Sequence, residues 1–158
     1  MINLILIRGL PSTGKTTLAK LLGFTSFEAD MFFHEGQDVS KPYNFDAKKL
    51  GDAHQWCQTS TKKALEALKE FEDKNLAAKP YGVIVSNTFT CRWEMQPYLD
   101  MVTDDVRLTV IDLFDGGESN ETLQARNAHG VPLTAFEAMR ERYEHDWANG
   151  DPKPPWER

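Results

Sequence analysis

Short apolar stretches rich in β-branched residues alternate along the chain with longer amphipathic ones. The first kind predicts strands over residues 2–7, 24–29, 81–85 and 106–114. The second predicts helices over residues 15–22, 46–73, 92–101 and 119–127, and a last helix from about residue 134. Strands that are apolar almost throughout, each followed by a helix, favour a parallel sheet enclosed between helices. The pattern therefore predicts an α/β fold with three layers.

Capping and breaking residues refine the ends of these helices. Gly23 is expected to stop the first helix, and the pattern over 46–73 allows one helix or an interrupted one. Pro97 should bend the helix over 92–101 or delay its start. Thr134 with Glu137 three residues later forms a capping box, with Phe136, Met139 and Tyr143 continuing on one face. These residues therefore predict where individual helices begin or end.

The chain has 158 residues, 41% hydrophobic and 27% charged, which is the composition and size of one globular domain. We assign residues 1–150 to that domain and residues 151–158 to a Pro-rich tail. The longest apolar run, Leu4 to Ile7, cannot span a bilayer, and no secretory signal precedes it, so we expect a cytoplasmic protein without a membrane partner. Cys57 and Cys91 have no metal-binding spacing and are expected to be reduced thiols.

The net charge of −6 is distributed unevenly. Residues 41–80 carry eight Lys and six acids, whereas residues 100–121 carry seven acids and one Arg. The second segment would repel a phosphate backbone, so we expect no long nonspecific DNA footprint.

A phosphate-binding loop follows the first predicted strand. Residues 9–16 read G-L-P-S-T-G-K-T and satisfy G-x-x-x-x-G-K-[ST] at every fixed position, between a strand and a helix, as the mechanism requires. Lys15 can reach the β and γ phosphates, Thr16 can offer its hydroxyl to Mg²⁺, and Thr17 can donate to an α-phosphate oxygen. The absence of an N-K-x-D motif favours ATP over GTP. The expected ATP-binding residues are Gly9, Leu10, Pro11, Ser12, Thr13, Gly14, Lys15, Thr16 and Thr17.

An acid follows the second predicted strand. The carboxyl ends of parallel strands line one crevice, so Asp30 could accept the proton of an attacking hydroxyl there. From its position alone, Asp30 could equally be a helix cap or a surface acid. The small domain, with no apparent switch machinery, favours transfer to an acceptor over hydrolysis.

Several motifs in order resemble the small P-loop kinases of polynucleotide-kinase type. These are the P-loop, Asp30, the sequence Ser86-Asn87-Thr88, and Arg126-Asn127 shortly before Val131-Pro132. The resemblance covers nearly the whole chain apart from the tail. It extends to the 5′-kinase domain of phage polynucleotide kinase and to eukaryotic P-loop proteins that bind a ubiquitin ligase.

The resemblance implies a sheet of four or five parallel strands with the P-loop strand central, ATP and Mg²⁺ as cosubstrates, and phosphoryl transfer to a hydroxyl. It makes Asp30 the general base and Arg126 the lid residue that contacts the transferring phosphoryl group, with Lys15 as the third catalytic residue. Arg140 and Arg142 are alternative lid residues, although ion pairs with Glu137, Glu141 and Glu144 on the helix surface explain them adequately.

Two departures from the family pattern bear on the site. The third strand ends without the usual aspartate, so Mg²⁺ could depend on Thr16, with Asp30 indirectly or Asp112 or Asp115 contributing. The residues after Asp30 are aromatic and apolar, and we expect one of Phe32 and Phe33 to be core. The candidate acceptor pocket consists of Asp30, Phe33, Asn87 and Thr88.

The favoured function is an ATP-dependent kinase that acts on a hydroxyl of a nucleic acid or nucleotide, such as a DNA 5′-hydroxyl or hydroxymethyluracil. The alternatives are a small-molecule kinase acting on a sugar or metabolite, and a catalytically weak ATP-binding interaction module.

Overall fold

A computed structural model of the chain describes residues 1–73 and 81–144. In this part of the chain four strands form one sheet: β1 (Ile2–Arg8), β2 (Thr25–Phe27), β3 (Gly82–Ser86) and β4 (Val106–Asp112). Their order is β2-β3-β1-β4, and all pairings are parallel. The prediction of four or five parallel strands with the P-loop strand central is confirmed, and the described residues form four.

Within the described residues, five α-helices connect or follow these strands. They are α1 (Lys15–Leu22), α2 (Leu50–Asp73), α3 (Gln96–Leu99), α4 (Asn120–Ala125) and α5 (Leu133–Arg142). Short 3₁₀ turns occur at Ala29–Phe33, Glu35–Gln37, Ala47–Lys49 and Arg92–Met95.

The two faces of β1 show why the fold has three layers. Side chains alternate across a strand, so Ile2, Leu4 and Leu6 join one buried cluster and Ile5 and Ile7 another. The first cluster takes Cys57 and Leu65 from α2 and Tyr98 from α3, whereas the second takes Ala19 from α1. Helices therefore cover both faces of the sheet, as predicted.

Three of the expected helix boundaries fit the structure. Gly23 ends α1 in the left-handed conformation, and its N–H donates to Ala19 O. Asp46 caps the 3₁₀ turn before α2, because its carboxylate accepts from the backbone N–H of Lys48, and the regular helix begins four residues later at Leu50. Pro97 lies in the first turn of α3, so the helix over 92–101 does start late.

The capping box of the last helix is wrong. Pro132 is the N-cap residue and α5 begins at Leu133, before Thr134. Proline fixes φ near its helical value, so the helix starts at the first residue after it without a side-chain cap. Tyr143 follows the end of α5 in extended backbone, yet its side chain packs in the same cluster as Phe136 and Met139, as expected. The tail at 151–158 lies outside the described residues.

Two further expectations concern membrane-spanning segments and the two cysteines. No described helix is both long enough and apolar enough to cross a membrane. Cys57 is buried, Cys91 is half-buried, and both are free thiols.

Candidate active site

The order of the strands creates a crevice between the carboxyl ends of β1 and β3. The connection after β1 leads to β2 on one side, and the connection after β3 leads to β4 on the other, which is the topological switch point where ligands bind in open α/β sheets. The N–H of Gly9 donates to Thr88 O over 3.2 Å, and the N–H of Asn87 donates to Ile7 O over 3.2 Å. The P-loop therefore starts from a fixed point.

The backbone of the P-loop is shaped for an anion. Gly14 and Ser12 adopt left-handed φ angles of +95° and +66°, a conformation in which successive N–H groups can turn toward one ligand. A Cβ on Gly9 would lie 2.9 Å from Leu113 O, so only glycine fits where the loop passes the end of β4. Because Gly14 precedes α1, no side chain caps the helix, and its first N–H groups remain for a phosphate.

Lys15 is a half-buried cation in this loop. Its Nζ donates to Leu10 O over 2.9 Å. Burial lowers the pKa of Lys15 to about 8, although the nearby carboxylates of Glu28 and Asp30 oppose that shift. An anionic ligand would compensate the desolvated ammonium, so the loop and its lysine fit a nucleotide phosphate.

Glu28 is a site residue that the sequence reasoning missed. It follows β2, and burial raises the pKa of its carboxyl, opposed by a hydrogen bond from the Thr16 hydroxyl and by the charge of Lys15. Its signal in the sequence is its position two residues before Asp30, at the end of a strand that enters the same crevice. The geometry thus places two acids, not one, beside the P-loop lysine.

Thr16 and Glu28 together fit Mg²⁺. Both supply oxygen, and this ion keeps several waters and takes other ligands from substrate phosphates. Within residues 1–73 and 81–144 no group of three or more His, Cys, Asp and Glu side chains could hold a metal by itself. Of the other acids considered for this ion, Asp112 is engaged by Arg8 and Tyr143. Asp115 is paired with Arg140. Glu28 is an additional candidate.

Asp30 lies in the 3₁₀ turn Ala29–Phe33 with one oxygen already engaged. The hydroxyl of Tyr43 donates to Asp30 Oδ1 over 3.3 Å. Burial raises the pKa of Tyr43, and the neighbouring carboxylate of Asp30 raises it further. Tyr43 therefore remains a neutral donor to Asp30 at physiological pH.

The other members of the expected acceptor pocket are partly structural. Phe33 is 5% exposed and packs with Ala29 and Ala53, so it is the core member of the Phe32–Phe33 pair. Asn87 is also buried, and its Oδ1 accepts from the N–H of Ala29 over 2.8 Å. Asn87 thereby joins the ends of β3 and β2, and Tyr43 rather than Phe33 presents a polar group to Asp30.

The loop between α4 and α5 lies on the P-loop, but not through Arg126. The guanidinium of Arg126 is exposed and pairs with Glu118 at 2.9 Å. Asn127 makes the contact instead, since its Nδ2 donates to Ser12 Oγ over 3.4 Å. Its Oδ1 accepts from the N–H groups of His129 and Val131, both at 3.0 Å, which fixes the loop.

The alternative lid arginines have other partners. Arg140 binds Asp115 and donates to Asn120 Oδ1 and Glu118 O, so it fastens the turn before α4. Arg142 donates to Thr90 Oγ1 over 2.9 Å. These contacts cross between elements, so the expected pairs with glutamates on the surface of α5 are not what holds these two side chains.

Comparison with known proteins identifies the family. Residues 4–145 match the AAA_33 family model, described as an AAA domain. The chain belongs to this family of AAA domains. This AAA domain is also 33% identical over 150 residues to a segment of human NEDD4-binding protein 2. The alignment covers 89% of the chain but only 8% of that much longer protein.

Two solved structures are similar to this AAA domain at 15% sequence identity. A gluconokinase from Sinorhizobium meliloti 1021 gives a TM-score of 0.48, with 92% of this chain and 77% of that one covered. A shikimate kinase from Acinetobacter baumannii in complex with shikimate gives a TM-score of 0.42, with 95% and 87% covered.

Proposed function

We propose that this AAA domain is an ATP-dependent kinase that transfers the γ-phosphoryl group to a hydroxyl of a nucleic acid or nucleotide. One observation carries the proposal: the charges of two carboxylates, Glu28 and Asp30, which follow β2, act on Lys15 of the P-loop. A phosphate site beside a carboxylate that can take a proton is what transfer to a hydroxyl requires.

Each residue has a defined task in the proposed reaction. The N–H groups of the P-loop and Lys15 hold the β and γ phosphates, and Thr16 and Glu28 would hold Mg²⁺. When bound, Mg²⁺ neutralises phosphate charge. Asp30 accepts the proton of the acceptor hydroxyl as the hydroxyl oxygen attacks the γ-phosphorus, and ADP leaves. Arg126 would have to exchange Glu118 for the phosphoryl group to act as the lid arginine.

Aromatic side chains beside Asp30 support an acceptor that carries a base. The rings of Tyr43 and His129 lie 4.5 Å apart at 42°, and Phe45 is 54% exposed while touching the ring of Phe33. Aromatic faces bind nucleobases by stacking with little dependence on sequence. The motifs shared with polynucleotide-type kinases support the same acceptor class.

A transfer assay tests the proposal. The protein is incubated with Mg²⁺ and ATP labelled at the γ-phosphate, and with 5′-hydroxyl DNA, hydroxymethyluracil DNA, nucleosides, nucleotides or sugars. We expect label on a nucleic acid or nucleotide. Label on sugars alone would establish the small-molecule kinase instead, and ATP binding without any transfer would establish the interaction module.

A substitution in the P-loop gives this assay its control. Lys15→Ala should abolish transfer and weaken ATP binding, because the β and γ phosphates lose their cation. Lys20→Ala, on the exposed side of the same helix, should do neither. Full transfer by the Lys15→Ala protein would overturn the P-loop mechanism.

A further inference from the structure

The segment 34–44 folds back on itself and places Tyr43 next to the candidate site. The backbone of Tyr43 forms an antiparallel bridge with His34. The N–H of Asn44 donates to Phe33 O over 2.9 Å, and the N–H of Glu35 donates to Pro42 O over 3.2 Å. These bonds hold residues 34–44 as a closed loop whose end lies against the 3₁₀ turn that carries Asp30.

Two neighbouring aromatic rings pack against the ring of Tyr43. Its centroid lies 6.1 Å from that of buried Phe33, edge to face at 76°, and 5.2 Å from that of His34. These two contacts restrict the ring of Tyr43 in the orientation in which its hydroxyl donates to Asp30 Oδ1. The hydrogen bond is therefore a consequence of the fold of the segment, not of a mobile surface side chain.

The ring of Tyr43 also contacts the loop over the P-loop. The ring of His129 lies 4.5 Å away, and Asn127 fixes the backbone of His129 while it contacts Ser12. One side chain thus touches the carboxylate next to the phosphate site and the loop that covers that site.

We propose that Tyr43 is a positioning residue for phosphoryl transfer. Its hydroxyl holds one oxygen of Asp30 and leaves the second oxygen to take the proton of the acceptor, while its ring seats His129 and the loop at 126–132. The bond from the acceptor oxygen to phosphorus forms, the bond to the β-phosphate oxygen breaks, and Tyr43 neither gains nor loses a proton. This inference rests on the proposed function.

A double-mutant cycle separates positioning from a purely structural role. Tyr43→Phe keeps the ring and should lower kcat about tenfold, with the KM for ATP unchanged. In the Asp30→Asn background the same substitution should cost less than twofold, because the carboxylate it positions is gone. Equal losses in both backgrounds would overturn the proposal.

The matched control is Tyr81→Phe. In the wild-type protein the Tyr81 hydroxyl donates a hydrogen bond to the Glu72 carboxylate. Tyr81 lies before the amino end of β3, on the opposite edge of the sheet from the site. We expect this variant to keep wild-type kcat.

A spectroscopic measurement tests the contact even if no acceptor is labelled, in which case the proposed function fails by itself. The carboxyl ¹³C resonance of Asp30 is assigned by its loss in the Asp30→Asn protein. It should shift on Tyr43→Phe and stay in place on Tyr81→Phe. An Asp30 carboxyl chemical shift that is the same in the Tyr43→Phe protein contradicts the positioning role, whatever the activity.

Discussion

At the scale of single residues, the proposed chemistry depends on the carboxylate of Asp30. Asp30→Asn keeps the shape and removes the proton acceptor, so turnover should fall roughly 100-fold or more while ATP affinity stays the same. Single-turnover kinetics and calorimetric ATP titration measure the two quantities. Asp52→Asn, exposed on α2, serves as the control, and undiminished turnover of the Asp30→Asn protein would remove Asp30 from this role.

Lys15 gives the nucleotide site a pH dependence. Its pKa in the nucleotide-free protein is lowered to about 8 by burial, against the opposing charges of Glu28 and Asp30. Bound phosphates favour the ammonium form, so binding should take up a proton once the pH exceeds about 8. ATP affinity should then fall with rising pH, by up to about tenfold per pH unit.

Isothermal titration at pH 7 and pH 9, in buffers of different ionisation enthalpy, measures both the affinity and the proton uptake. The Lys15→Ala protein should bind weakly with a flatter profile. An affinity in the wild-type protein that is the same at both pH values would contradict this assignment.

At the scale of elements, a buried arginine joins the P-loop strand to three other segments. Arg8 is 4% exposed, faces its register partner Asp112 at 3.4 Å, and donates to the carbonyls of Phe89, Thr90 and Glu144. Its guanidinium also lies 4.4 Å from the centroid of the Tyr143 ring. Because Gly9 comes next, these contacts fix the start of the P-loop.

Arg8→Met should therefore lower the free energy of unfolding by about 3–5 kcal/mol, since it removes the cation beside Asp112 and the side-chain donor of the Phe89 carbonyl. The hydrogen bond from the Tyr143 hydroxyl to Asp112 remains. Urea denaturation measures this. Arg107→Met, exposed on β4, should change stability by less than about 0.5 kcal/mol. Adding Asp112→Asn to Arg8→Met should recover part of the loss, and a loss no larger than that of Arg107→Met would refute the role of the buried pair.

The elements also show what the sequence could and could not predict. The P-loop was predictable because its strand, turn and helix are contiguous. The parallel sheet was predictable because its two inner strands, β1 and β3, are buried almost throughout on both faces. The start of α5 was not predictable, since the sequence offers two start signals there, a proline and a capping box. The helix begins directly after the proline. The contacts of Tyr43 with Asp30 and of Arg8 with Asp112 depend on a loop closure and a strand register, which no local spacing encodes.

At the scale of the whole molecule, the acidity of residues 100–121 does not surround the candidate site. Asp100, Asp104 and Asp105 come just before the amino end of β4, on the edge of the sheet opposite the P-loop. Three of the four remaining acids are paired: Asp112 with Arg8, Asp115 with Arg140, and Glu118 with Arg126. The fourth, Glu121, is exposed in the first turn of α4. The negative charge is therefore compatible with an acceptor held at one end, though not with a long bound strand.

This charge distribution predicts that binding depends little on acceptor length. Single-stranded 5′-hydroxyl DNA of 8 and of 24 nucleotides should bind with dissociation constants within about twofold. The slope of log K against log salt should be no steeper than about −3, since each neutralised phosphate in a single strand contributes about −0.7. Fluorescence anisotropy at several salt concentrations measures both quantities. Asp104→Asn with Asp105→Asn should leave them unchanged, because both carboxylates lie at the far edge. A 24-nucleotide strand that binds tenfold tighter with a slope beyond −6 would show a long electrostatic footprint and contradict this account of the surface.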